Sequence, residues 1–241
     1  MTLSTLMDDL QAASVQIWAE AGELRFRAPQ GAMTEALRHR LKAMKPALLA
    51  ELDPEVKRYA PFAQTAIQQA YVVGRTGALD QGGMAANSYI EFDNSIADPN
   101  HMEHALNAMI AQHDMLRTIL LDNGQQQVLK SVPAYQLVVT DLRGLSEKEQ
   151  NAYRNNLRHT MSQAKRDQRS WPLFEMSLTR SHSGWRLHTC IDLLILDAWS
   201  TKLFFGEWFA RIAGKDIPDP PLIQFKECMD MAALQPPNLE L

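Results

Sequence analysis

A chain of 241 residues with a net charge of -4 and 46% hydrophobic content has the make-up of one large globular domain or two small ones. The mild acidity argues against a chain-wide nucleic-acid surface, and no apolar run reaches the length of a membrane span. Asp8 and Asp9 stand where a secretory leader would be basic, and Cys190 and Cys228 fit neither a disulfide framework nor metal spacing. The expectation is a cytoplasmic protein without a metal site.

Residues 1–53 read as one small unit. Leu3, Leu6, Met7 and Leu10 recur at helical spacing behind Thr2 or Ser4 as a cap. Val15 to Arg27 alternates about Ala21-Gly22, which predicts a β-hairpin. Val15, Ile17, Leu24 and Phe26 are expected inward, with Trp18, Arg25 and Arg27 outward. Ala28-Pro29-Gln30-Gly31 ends the hairpin, and Met33 to Leu52 reads as helix broken before Pro46, an αββαα order. An outward tryptophan beside two arginines on a strand edge suits an acidic peptide that adds as an extra strand. Arg38, Arg40, Lys42 and Lys45 follow, with Glu35 opposing them. The other reading is a solvated basic face with Trp18 tucked against a helix.

Leu24-Arg25-Phe26-Arg27-Ala28-Pro29, Gly31-Ala32, the Leu37-to-Leu41 helix and Lys45-Pro46-Ala47-Leu48-Leu49 carry a resemblance. They resemble the N-terminal docking domains of hybrid synthetases of the tubulysin type. The resemblance implies binding of the C-terminal tail of an upstream polyketide or peptide synthetase, and allows a homodimer through the same faces.

Asp53-Pro54 and the charged residues to Arg58 suggest a boundary, with 54–58 as linker and 59–241 as the second domain. There Thr65 is placed to cap a short helix that carries Gln69 and Tyr71. Tyr89-Ile90-Glu91-Phe92 reads as a strand. Asp98-Pro99 opens a helix through Met102, Ala105, Leu106, Met109 and Ile110. On it, His101, Glu103 and His104 suit a solvated face better than a ligand set. Val128–Val132 and Gln136–Thr140 suggest further strands. Ser146 with Glu149 is a capping-box pattern opening a polar helix to about Arg169. Glu175–Arg180 is a strand, and Trp185–Leu196 a central one. Asp197–Ile212 is an apolar helix, Pro218, Pro220 and Pro221 break the pattern, and Phe225–Leu234 is a last short helix. The alternation predicts an α/β sandwich, α/β (α+β) in class.

The most informative stretch runs from Asp192 through Leu193-Leu194-Ile195-Leu196 to Asp197 and Ser200, a DxxxxDxxS pattern. It resembles the signature of nonribosomal peptide synthetase heterocyclization domains. Condensation relatives carry HHxxxDG at this place, and Leu193 stands where their catalytic histidine would. A leucine cannot accept a proton. Phe62, Gln68 or Gln69, Ala70, Tyr71, Gly74 and Arg75 match the family's opening motif FPLTxxQxAYxxGR, although Pro61 precedes Phe62. His113 to Arg117 is similar to RHxxLR, with Gln112 for the first arginine, and Asp141–Leu145 to DLRGL.

The resemblance implies one lobe of a chloramphenicol-acetyltransferase-like fold. It also implies condensation of an upstream thioester with carrier-bound Cys, Ser or Thr, then cyclodehydration to thiazoline or oxazoline. Substrates would arrive on the phosphopantetheine of partner carrier domains, with no cofactor held in this chain. The second lobe's motifs, like PVVFTS and TPQVxLD, are absent here. The expectation is therefore an N-terminal portion that docks but does not catalyse alone. The competing readings are a natural docking adaptor and a small acyltransferase with an inter-subunit site.

Asp192 and Asp197 are either a proton-transferring pair or architectural acids tied to Arg75 or Arg117, and to Ser200. On a continuous strand they would point to opposite faces. Arg117 is expected to pair with Asp197, and His113 to be a hydrogen-bonded packing residue.

Overall fold

A computed structural model describes residues 2–76, 86–93, 98–215, 217 and 223–233. The chain divides into two compact units, Met1–Ala60 and Pro61–Leu241.

In the first unit α1 (Leu3–Ala12) starts where the Thr2 hydroxyl accepts the Thr5 N–H. β1 (Gln16–Glu20) and β2 (Glu23–Arg27) pair antiparallel from Gln16↔Arg27 to Glu20↔Glu23. Their turn places Ala21 at φ 53 and Gly22 at φ 75, the left-handed pair that matches strand twist in a two-residue hairpin. α2 (Glu35–Ala43) and α3 (Lys45–Leu52) are separated at Met44, which ends one and starts the next. Pro46 sits in the first turn of α3, where its missing N–H is not needed. Leu6, Leu10, Val15, Leu37, Leu41 and Leu48 form the core, with Ile17 and Leu24 packed against it.

Two expectations change here. Phe26 shares the face of Ile17 by register, yet stays 49% exposed; so small a core does not cover the whole hairpin. Residues 54–58 are not an extended linker but lie in a helix, α4 (Pro54–Tyr59), capped by Asp53 Oδ1 accepting the N–H groups of Glu55 and Val56. Its charge hides it, while the Asp-Pro start announces it.

The second unit is built on a four-stranded sheet in the order β4-β9-β8-β7. Its strands are β4 (Asn87–Asp93), β7 (Val138–Asp141), β8 (Phe174–Ser181) and β9 (Gly184–Asp192). β9 runs antiparallel to both neighbours, and only β7 is parallel to β8, so the class is α+β. A smaller sheet, β3-β6-β5, joins β3 (Phe62–Ala63), β6 (Gln125–Val128) and β5 (Thr118–Leu120). The remaining helices are α5 (Ala66–Arg75), α6 (Pro99–Gln112), α7 (Glu147–Gln163), α8 (Ala198–Ile212) and α9 (Phe225–Ala233).

The two faces of the large sheet differ in chemistry. Phe174, Met176, Leu178, Leu187 and Ile191 face α6 and α8, where Met102, Leu106, Met109, Phe204, Phe205 and Trp208 complete an apolar core. The alternate positions are mostly polar and lie under α7. Arg158 of α7 holds Glu91 through two bonds of 3.0 and 2.8 Å. His188 lies between Tyr89 (2.8 Å) and Thr179 (3.0 Å), and the Cys190 thiol donates to the Met161 carbonyl.

Burial pulls the His188 imidazole down to about 4, against the attraction of Glu91. Burial raises Glu91, but hydrogen bonds from Arg158 and Tyr89 outweigh it and hold the carboxyl low. Between pH 6.5 and 4 the unfolded chain therefore binds more protons than the folded one, so stability falls as pH falls. His188 alone should remove on the order of 3 kcal/mol across that window. Urea unfolding at about pH 7 and about pH 4.5 should show a smaller acid loss in His188→Gln than in wild type. An equal loss in both proteins would refute the assignment.

Candidate functional site

Strand β9 ends at Asp192, and the four aliphatics that follow form a turn rather than the end of the strand. The cause is local. Asp192 Oδ1 accepts the Leu194 N–H at 3.0 Å, and its carbonyl accepts the Ile195 N–H at 3.1 Å, an Asx-type turn that outcompetes the ladder. Leu194 and Ile195 drop into the apolar core. Asp192 and Asp197 are thus not opposite faces of one strand but the two ends of a buried turn.

Asp192 is fully buried. Its Oδ2 takes a hydrogen bond from Arg75 Nη2, and Arg75 Nη1 reaches the Arg166 carbonyl at 3.3 Å. Arg75 comes from the last turn of α5, whose start is fixed by a capping box between Thr65 and Gln68. Gln68 also locks the turn itself. Its Nε2 donates to the Leu194 carbonyl at 2.7 Å and to Gln126 Oε1 at 2.8 Å, and Gln126 returns a bond of 2.9 Å. The motif match left Gln68 and Gln69 undecided; the Thr65-x-x-Gln68 spacing of a capping box was the signal that separates them.

Asp197 is exposed and caps α8, accepting the Ser200 N–H at 2.7 Å. That backbone bond holds its carboxyl below the usual range. Arg117 does not pair with it. The guanidinium bonds Asp114 (2.6 Å) and the carbonyls of Ile110, Ala111 (2.6 Å) and Leu129 (3.1 Å). Asp114 lies in the same 3-10 turn, Asp114–Arg117, so the nearer acid wins. His113 Nε2 meets Glu207 Oε2 at 2.8 Å, beside Gln112 and Arg211. Tyr71 packs against the core, while Gly74 faces open space. Glu103 is not on a solvated face: it accepts the Leu137 N–H at 2.7 Å.

The turn therefore presents one sealed acid and one exposed acid. Asp192 is buried and bonded by a guanidinium and an N–H. Asp197 is held ionised beside the Ser200 hydroxyl and an apolar surface of Trp199 (64% exposed) and Leu203 (56%). Among the described residues no group of three His, Cys, Asp or Glu is placed to hold a metal ion. Asp197→Ala should cost about 1 kcal/mol through the lost cap, and Asp197→Asn much less. Equal urea midpoints for the two variants would remove the cap from the account.

Residues 4–53 match the TubC N-terminal docking domain, and residues 68–233 the condensation domain family. Pyochelin synthetase PchF of Pseudomonas aeruginosa is 36% identical over 220 residues, covering 88% of this chain and 12% of that protein. Phenyloxazoline synthase MbtB of Mycobacterium sp. (strain MCS) is 33% identical over 169 residues, 69% of this chain and 14% of that protein. The chain thus spans a small part of these relatives. The EpoB cyclization-docking bidomain of Sorangium cellulosum superposes with a TM-score of 0.65 at 25% identity, over 96% of this chain and 48% of that one. No helix among the described residues is long and apolar enough to cross a membrane. The same order of matches recurs in the fold, so the chain belongs to the condensation-domain family, with heterocyclization-type relatives and a TubC-type docking domain in front.

Proposed function

We propose that the second unit is the N-terminal lobe of a heterocyclization domain. The full domain joins an upstream thioester to carrier-bound Cys, Ser or Thr and closes the thiazoline or oxazoline. The substrates ride on the phosphopantetheine of partner carrier domains. The observation that carries this reading is the turn: Leu193 replaces the histidine base, and Asp192 is bound to Arg75 and the Leu194 N–H. Histidine-assisted amide formation is thereby unavailable, and relatives named for cyclization and for an oxazoline support the alternative. Asp192 acts as architecture, holding Leu194 and so Asp197 in place. This chain alone forms no product in this reading.

The test is Asp192→Asn in the full-length synthetase, with cyclized product and folded fraction measured together. Architecture predicts that product falls in proportion to folded protein. Full folding with lost cyclization would move Asp192 into the chemistry.

The first unit, in the same reading, docks an acidic C-terminal tail of an upstream synthetase along the hairpin edge. Trp18 is 41% exposed and cross-strand from Arg25. Arg25 contacts Glu20 at 3.7 Å, a long exposed pair that a carboxylate ligand can displace. Trp18→Ala and Arg27→Glu should each weaken binding of a labelled acidic tail peptide roughly tenfold or more. Unchanged anisotropy titrations for both variants would rule out this surface.

A further inference from the structure

At the far end of β9 from the DxxxxD turn lies a cavity of about 120 Å³, lined by Asp93, Arg154, Ser181, Ser183, Gly184, Trp185 and Arg186. β9 has nine residues, so the cavity is about 26 Å from Asp192 and separate from the motif. It is far smaller than the roughly 300–1,000 Å³ of sites for drug-sized ligands. We propose that this cavity binds a tetrahedral oxyanion of the phosphate class, recruited by Arg154 and oriented by the Ser183 hydroxyl.

Three observations carry it. Arg154 Nε is buried and, among the described residues, lacks a hydrogen-bond partner. Its Nη2 meets Gln150 Oε1 at 3.4 Å, a long contact for a guanidinium. A half-buried guanidinium with a buried, unfilled Nε–H calls for an acceptor that the described residues do not supply.

The neighbouring charges are otherwise spent. Arg186 grips Asp93 at 2.6 and 2.9 Å and reaches Glu91 at 3.2 Å, while Arg158 holds Glu91. Set against those two carboxylates, the three arginines leave one positive charge in excess, and His188 is neutral at pH 7. The hydroxyls complete the cradle. Ser181 Oγ donates to the Gly184 carbonyl at 3.1 Å and lies 2.9 Å from Ser183 Oγ. With the Ser181 proton on Gly184, Ser183 donates to Ser181; being exposed, Ser183 can exchange that bond for one to an anion in the cavity.

The experiment uses the whole chain. Melting curves and calorimetric titrations compare sodium phosphate with sodium chloride at matched ionic strength, for wild type, Arg154→Gln and Ser183→Ala. Phosphate at about 10 mM should raise the wild-type Tm above the chloride control. Arg154→Gln should lose roughly tenfold in affinity, and Ser183→Ala a smaller factor. A parallel titration with phosphoethanolamine separates sources: binding of both ligands indicates a phosphate ester, and binding of phosphate alone a free ion. Equal Tm shifts in phosphate and chloride would overturn the proposal, as would an Arg154→Gln protein that responds like wild type. If Arg154→Gln does not fold, the exposed Ser183→Ala decides, and an unchanged Kd there overturns it.

Discussion

Arg75→Ala will destabilise the second unit by about 3–5 kcal/mol, because it strands the Asp192 carboxylate in a fully buried site. Asp192 keeps the Leu194 N–H, but one neutral donor does not offset a buried negative charge. Arg75→Lys will recover only part of the loss. An ammonium is a compact point charge and cannot reproduce the fork that spans Asp192 and the Arg166 carbonyl. The double variant Arg75→Ala with Asp192→Ala should cost less than the sum of its parts, since removing both charges removes the stranding. Urea unfolding of the four proteins measures this coupling. Strict additivity would mean that the pair is not a unit.

Arg117→Ala comes next in size, again about 3–5 kcal/mol. It removes the ion pair with buried Asp114 and leaves three backbone carbonyls short of a donor. Arg117→Lys will fare little better, since one ammonium cannot meet four acceptors on different segments. Coupling to Asp197 distinguishes the observed pairing from a bridge across to the signature. Arg117→Ala and Asp197→Ala share no partner, so their effects should add within about 0.5 kcal/mol. A larger interaction energy would restore an Arg117–Asp197 bridge.

What could be read from the residues alone was what they decide locally. The hairpin about Ala21-Gly22, the α6 start at Asp98-Pro99 and the Ser146–Glu149 capping box each depend on neighbours a few positions away. β3 and β5 are too short for alternation to register, at two and three residues. Leu193 to Leu196 looked like strand because propensity favours it, and the Asp192 side chain overrides that preference with a single bond to Leu194. α7 ends at Gln163, short of Arg169. There Arg166 is drawn to Glu175 and Asp167 turns back on Arg169, which favours loop over helix. The acids of the signature stand out in the sequence as a pattern. Arg75, Arg117 and Ser200 stand out as candidate partners, but the choice between the two arginines does not, because Arg75 lies 117 positions from Asp192 and nothing in periodicity connects them.

That separation has a consequence for how the protein is made. In the first unit the ion pairs are local, as between Glu23 and Lys45, 22 residues apart. Contacts of this range can form while the rest of the chain is still being synthesised. Gln68, by contrast, must wait 126 residues for the Leu194 carbonyl. Until the ribosome has delivered that residue, α5 carries a charged Arg75 and an amide with no native seat. The first unit then has every residue of its core on hand before the signature turn exists. If the first unit docks as proposed, assembly with an upstream synthetase can begin on a nascent chain whose signature turn is still unformed.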